Sequence, residues 1–209
     1  MRVRWTGRSE GDLRPGDGCV PRWQAVVARP WSWARQVHGS DVLVVGEPGE
    51  LPASAGDALV SAHPDACLAV FTADCAPVVL GSPEGIMAVA HAGWRGLLAG
   101  VLQATAEAMR SLGASSVVAG LGPCIHPGCY EFSPADLDRV AAAVGDVVRG
   151  RTSSGRPALD LPAGVRAALT SAGVDLAVEV GCCTACSPEL FSHRGKGDRG
   201  RQAVVAWRA

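Results

Sequence analysis

The stretch Ala66–Gly96, ACLAVFTADCAPVVLGSPEGIMAVAHAGWRG, carries three short apolar runs separated by turn residues and ends on a glycine-bracketed approach to a helix. The runs at 66–71, 77–80 and 86–90 have strand length and are apolar at successive positions, the pattern of strands covered on both faces. Valine-rich runs at 41–45, 116–120, 174–180 and 203–207 also read as strands. Between them, 97–112 sets Leu98, Val101, Leu102, Thr105, Met109 and Leu112 on one helical stripe, with Gly113 as its terminator. A second helix is expected to start at Ser133 as N-cap, with Pro134 at the first helical position and Asp136 three residues after the cap, and to run to Val144. A third spans 162–172 and is closed by Gly173. Strands in immediate succession beside interleaved helices predict an α/β fold of the mixed-sheet, layered-sandwich kind. No internal repeat or linker divides the chain, so a single domain over 1–209 is expected.

Composition limits the partners. Of 209 residues, 48% are hydrophobic and 19% charged, and the 19 basic and 20 acidic side chains leave a net charge of -1. That balance supplies no basic field for a nucleic-acid backbone or an anionic membrane, and favours a small-molecule partner. No apolar targeting core or bilayer-length run occurs, so a cytoplasmic protein, monomeric or a small homo-oligomer, is expected. In a reducing compartment the eight cysteines point to metal binding, catalysis or burial rather than to disulfides.

Residues capable of chemistry collect at strand ends, where α/β proteins assemble their sites. TADC, 72–75, closes one apolar strand; HAGWRG, 91–96, joins another to the first helix; QVHGSDV, 36–42, sets His38 before a glycine turn. Two imidazoles and one thiolate, from His38, Cys75 and His91, suit zinc and leave a fourth position for water or substrate. The residues alone leave the matter open. The three are far apart in the chain, and a histidine at a strand end commonly does no more than hydrogen-bond within the fold.

In chain order, QVHGSDV, TADCAPVVL, AVAHAGWRG, GPCIHPGCYEF and FSHRGKGDRGRQ resemble the signature blocks of the multicopper polyphenol oxidase, or laccase-domain, family, also described as purine nucleoside phosphorylases. The resemblance runs from Trp33 to Trp207. It implies that His38, Cys75 and His91 hold a metal. It also implies a mixed α/β sandwich related to cysteine-hydrolase-like toxin domains. The activities it implies are phosphorolysis of adenosine, inosine, guanosine and methylthioadenosine, together with adenosine deamination. Older labels for the family add copper-dependent phenol oxidation and peptidoglycan editing.

Physical chemistry weighs these labels against one another. Deamination needs a nucleophilic water near neutral pH, which zinc supplies by lowering the pKa of bound water to about 7. Phosphorolysis needs cations for phosphate and a proton donor for the departing purine. Arg95, at the start of the first helix, and Arg201 are the phosphate candidates. Asp74 and Asp57 are candidates for general acid/base or ligand-orienting carboxylates, and Glu131 for a contact to ribose hydroxyls. Trp94 is expected to pack the loop rather than stack on a base. A multicopper oxidase would need more than five histidines, and no His-x-His pair exists, so oxidation ranks last. Two other readings remain: Cys75 as a covalent nucleophile activated by His91 and acting on an amide such as one in a cell-wall peptide precursor, and a non-enzymatic metal module.

Cys183 and Cys186 form a C-x-x-C pair that Cys124 and Cys129 could complete as a four-thiolate zinc site, but all four are read as small buried residues of the pocket wall. The chain departs from the family's pattern before Trp33, so the resemblance assigns no substrate contact there. His126, Gly128 and Arg199 also stand where other residues are usual, and His126 is read as an exposed loop residue.

Overall fold

The computed structural model describes residues 1–50 and 55–209. Along the chain these form β1 (Arg2–Trp5), α1 (Val20–Val26), β2 (Val42–Val44), β3 (Ala58–Ser61), β4 (Cys67–Thr72), β5 (Ala76–Gly81), β6 (Met87–Ala92), α2 (Trp94–Ala99) and α3 (Val101–Ser111). They continue with β7 (Val118–Leu121), α4 (Pro134–Val144), β8 (Arg149–Arg151), β9 (Pro157–Leu159), α5 (Leu161–Ser171), β10 (Asp175–Glu179), α6 (His193–Lys196) and β11 (Gln202–Trp207).

Side chains alternate across a strand, and in the central strands each face meets a different core. Ala58, Val60, Val78, Leu80, Ala88 and Ala90 pack with Leu97, Leu102, Met109, Val165 and Leu169 of the helices. The residues between them, Leu59, Val79, Met87 and Val89, turn to Leu68, Val70, Val204 and Ala206 of a second sheet. That sheet's outer face, Cys67, Ala69, Phe71, Ala203 and Val205, is closed by Leu13, Trp23, Val27 and Trp31. The molecule is therefore a mixed α/β sandwich: helices, a six-stranded sheet, a three-stranded sheet and a tryptophan-rich cover containing α1. Trp23 stacks on Trp31 with ring centres 5.2 Å apart and on Phe71 at 5.6 Å, pairs worth about 1 kcal/mol each beyond their buried area. Truncating a residue such as Leu80, wholly buried, is expected to cost about 2–5 kcal/mol.

The large sheet has the order β10-β7-β5-β6-β3-β2 and the small one β1-β11-β4. β10 with β7 and β2 with β3 are parallel, whereas β5 pairs antiparallel with both β6 and β7. The chain crosses from small sheet to large sheet between β4 and β5, through Ala73, Asp74 and Cys75. This crossing sets Cys75 at the end of the sandwich where the two sheets part.

One expectation needs correction, and two others gain detail. The helix expected over 97–112 begins at Trp94 and is broken at Gly100, which takes φ +81° and serves both as C-cap of α2 and N-cap of α3. The strand expected over 174–180 is β10, at the edge of the large sheet with Val178 56% exposed. The residues before Trp33 are integral: β1 pairs with β11, and Trp23 lies in the cover. Among the described residues, no helix is long and apolar enough to cross a membrane.

Candidate active site and metal centre

Asp57, wholly buried just before β3, organises the first part of the site. It accepts hydrogen bonds from the backbone N–H groups of Val37 (3.0 Å), His38 (2.9 Å) and Gly39 (2.7 Å). These three bonds curl the loop around the carboxylate and hold His38 at φ +63°, a left-handed conformation that few non-glycine residues adopt. Gln36 anchors the loop's near end by pairing its side-chain amide with the backbone N–H and carbonyl of Phe71, both at 2.8 Å. Asp57 also bonds Nδ1 of His91 at 2.8 Å, which leaves Nε2 of that ring as the donor for a cation, a carboxylate–histidine arrangement common around metals. Burial opposes charge on Asp57, but the bonds from His91, Gly39 and Val37 outweigh it and hold the carboxyl below its usual range.

Cys75 reaches the same point from the crossing between the sheets. Zinc bonded to a thiolate at ~2.3 Å and an imidazole at ~2.0 Å in tetrahedral geometry would set sulfur and nitrogen about 3.5 Å apart. Sγ of Cys75 and Nε2 of His38 are 3.7 Å apart, and ligand atoms of His38, Cys75 and His91 all lie within 4.8 Å of one another. Gly93 completes the cradle: a Cβ there would lie 2.9 Å from Sγ of Cys75 and 3.0 Å from Cδ2 of His38. His38, Cys75 and His91 thus form a metal-binding arrangement. Burial disfavours a thiolate at Cys75, yet the His91 charge and hydrogen bonds from both imidazoles bring the thiol down to about 6. Burial likewise opposes charge on His91, but Cys75 and Asp57 together raise the imidazolium to about 9. The sulfur is therefore held as thiolate, the form that ligates metal.

The trio lies in a cleft of about 580 Å³, within the range of small-molecule pockets. Trp33, Phe71, Trp94 and Tyr130 supply aromatic wall; Arg14, Arg35, Arg95, Arg194 and Arg201 supply positive charge, and His193 adds an imidazole. Arg95 lies over the Trp94 ring, 4.4 Å from its centre, and Trp94 packs edge-on against Phe132. Arg201 donates to the carbonyls of Arg199 and Gly200.

Two candidates are engaged elsewhere. Asp74, 7% exposed and at φ +101°, spends its carboxylate on Thr184 Oγ1, Ser192 Oγ and the Arg194 N–H, each at 2.6 Å. It anchors the 184–194 segment while still bordering the cleft beside Cys75. Glu131 is exposed, pairs with Arg156 at 2.7 Å and borders a separate shallow cleft. Sequence reasoning missed Arg14, Arg35, Arg194 and His193. Arg194 and His193 stand inside the FSHRG block and Arg35 beside QVHG, so adjacency to a motif was the available signal; Arg14 carried none.

The expected burial of the four cysteines holds for Cys124 alone. Cys129 and Cys183 are half-buried and Cys186 is exposed. His126, half-buried, uses its backbone N–H on Cys183 Sγ at 3.4 Å.

Fold and donor set together define a mixed α/β protein whose cleft carries a His-Cys-His arrangement that could hold a metal. The chain belongs to the family described as multi-copper polyphenol oxidoreductase laccase, which matches residues 20–209. Similar proteins include one named purine nucleoside phosphorylase in Streptomyces coelicolor, 44% identical over 179 residues that cover 84% of this chain and 74% of the relative. Another of that name, in Mycobacterium bovis, is 40% identical over 178 residues, 84% of this chain and 71% of its own. A solved structure from Neisseria meningitidis has a TM-score of 0.82 at 29% identity, covering 99% of this chain and 89% of that one. The structure of YlmD from Geobacillus stearothermophilus has a TM-score of 0.80 at 26% identity, covering 99% and 91%.

Proposed function

We propose that this chain is a zinc-dependent purine nucleoside phosphorylase acting on adenosine, inosine, guanosine and methylthioadenosine, with adenosine deaminase activity in the same cleft. The observation that carries the proposal is the joining of five arginines and four aromatic rings to the His38, Cys75 and His91 donors around one cavity. Arginines suit an oxyanion and rings suit a purine face. The names of the relatives from Streptomyces coelicolor and Mycobacterium bovis agree with it. The cleft draws on residues from Arg14 to Arg201, which supports treating 1–209 as one functional unit.

In phosphorolysis, Arg95 and Arg201, helped by Arg14, Arg35 and Arg194, hold phosphate against the sugar. A phosphate oxygen then forms its bond to C1′ as the C1′–N9 bond breaks. The bonding pair leaves with the purine, which takes up a proton, and ribose 1-phosphate remains. With Asp74 and Glu131 engaged elsewhere, His193 is the imidazole on the wall outside the trio and is proposed as the donor of that proton. Trp33 and Tyr130 exclude water from the base. Zinc held by His38, Cys75 and His91 would supply Lewis acidity at its open position and make water nucleophilic near neutral pH, which deamination requires.

Purified protein incubated with adenosine, with and without phosphate, should yield adenine and ribose 1-phosphate only when phosphate is present, and inosine in both cases. No turnover under either condition sinks the proposal. Copper also suits an imidazole and thiolate set, so the metal content of active protein discriminates zinc from copper.

A second reading has its own observation. Cys75, His91 and Asp57 stand as nucleophile, base and orienting carboxylate do in cysteine hydrolases, which fits kinship with that fold and hydrolysis of an amide in a cell-wall peptide precursor. Near-stoichiometric zinc that is lost in His38→Ala counts against a free catalytic thiolate.

A further inference from the structure

Outside the cleft, a second set of donor atoms converges. Sγ atoms of Cys129, Cys183 and Cys186 lie within 4.8 Å of one another, with Cys129 and Cys186 at 3.3 Å. Three thiolates bound to one zinc would sit about 3.8 Å apart, so small side-chain rotations suffice to close the set. Cys129 comes from a turn 57 residues away from Cys186, so the fold rather than chain proximity brings the three sulfurs together, with Cys186 exposed. The backbone N–H of His126 is directed at Cys183 Sγ at 3.4 Å, so the turn is already shaped around that sulfur. Cys124 does not join them; it is 1% exposed and packed in the helix-side core. The set has three thiolates, with its outer side at the exposed Cys186.

We propose that Cys129, Cys183 and Cys186 form a second metal site that takes a soft d10 cation, zinc(II) or copper(I), and fastens together two segments of the cleft wall. Softness follows from the all-sulfur donor set. The fastening follows from what each ligand stands beside. Tyr130, next to Cys129, lines the cleft, and Thr184, between Cys183 and Cys186, is wholly buried and donates to Asp74. A cation joining them would fix the Asp74 anchor from outside while the His38, Cys75 and His91 centre works inside.

The proposal is independent of the nucleoside reading, because its test counts metal rather than turnover. Protein purified with reductant and without oxygen is loaded with zinc alone, or with copper(I) alone under a competing chelator, and metal per chain is measured. Two equivalents are expected in the unaltered protein and one in Cys186→Ser and in Cys129→Ser. His38→Ala should also retain one, and cobalt(II) substituted into that variant should give strong sulfur-to-cobalt charge-transfer absorption that Cys186→Ser removes. Cys186 is exposed, so that variant keeps the fold, and the zinc and copper arms identify the preferred cation. One equivalent in the unaltered protein, unchanged by Cys186→Ser and with all three thiols free to titrate, overturns the proposal. So does a Cys129–Cys186 disulfide that persists in reductant and excludes metal.

Discussion

Asp57 and Asp74 are both buried carboxylates beside the trio, and they do opposite work. Every partner of Asp57 belongs to the metal donors: three N–H groups of the His38 loop and the ring of His91. Every partner of Asp74 belongs to the far wall: Thr184, Ser192 and Arg194. Yet Asp74 is the chain neighbour of Cys75, whereas Asp57 is 18 residues from Cys75, 19 from His38 and 34 from His91. At a turn with φ +101° successive side chains diverge, so adjacency in sequence does not give adjacency at a metal.

The largest expected effect is at Asp57. Asp57→Asn removes the charge that orients His91 and sets an amide donor against backbone N–H groups, so metal affinity should fall about 10–100-fold and stability by about 3 kcal/mol. Competition with a metal chelator and a denaturant curve on the zinc-loaded protein measure both. Unaltered metal affinity would remove Asp57 from the donor side of the comparison.

Asp74→Asn comes next, at about 1–3 kcal/mol for a buried network with one mismatched donor. Its zinc content should be unchanged, and the damage should appear as a raised KM, because His193 and Arg194 lose their anchor while the metal donors keep theirs. A collapsed kcat with unchanged melting temperature and KM would instead make Asp74 a proton carrier and break the contrast.

The same pair explains what was legible beforehand. The layered mixed sheet was readable because strands covered on both faces must be apolar at successive positions, and 66–71, 77–80 and 86–90 are. At 174–180 the sign of exposure was Asp175 and Glu179 inside the run, because charged side chains on an otherwise apolar strand need solvent. The break at Gly100 was hidden because the helical stripe continues through a glycine that only the backbone angle distinguishes. For the site, His38, Cys75 and His91 were nameable through the family blocks, but the reason they converge lies in Asp57, whose partners are backbone N–H groups that no residue type advertises. Arg14 was invisible for a related cause: it reaches the cleft only because β1 pairs with β11 and the segment after it folds over the cover.

The cleft arginines divide along the same line, Arg95 on α2 beside His91 and Arg194 on the wall that Asp74 holds. Arg95→Ala should raise KM for phosphate about tenfold, the loss of one charge-assisted bond, and leave phosphate-independent deamination of adenosine unchanged. An equal loss in both reactions would mean that Arg95 shapes the cleft rather than holding phosphate.

A third carboxylate gives the smallest effect and the clearest sign. Asp198 fastens the 192–198 loop from its solvent side, accepting from the Arg8 guanidinium and from the Ser192 N–H at 2.9 Å. The Arg8 bond, then that N–H, hold its carboxyl below the usual range. A carboxyl lowered by folding adds stability that is complete above its unfolded value, about 3.9, and is lost as pH falls through the lower folded value. Asp198→Asn should therefore be less stable than the parent near pH 7, by less than about 1 kcal/mol for so open a pair, and the gap should close in acid. Denaturant midpoints at neutral pH and below pH ~3 test this. A gap that stays constant through that range would show that Asp198 works through shape rather than charge, and that only Asp74, on the buried side of the loop, anchors it electrostatically.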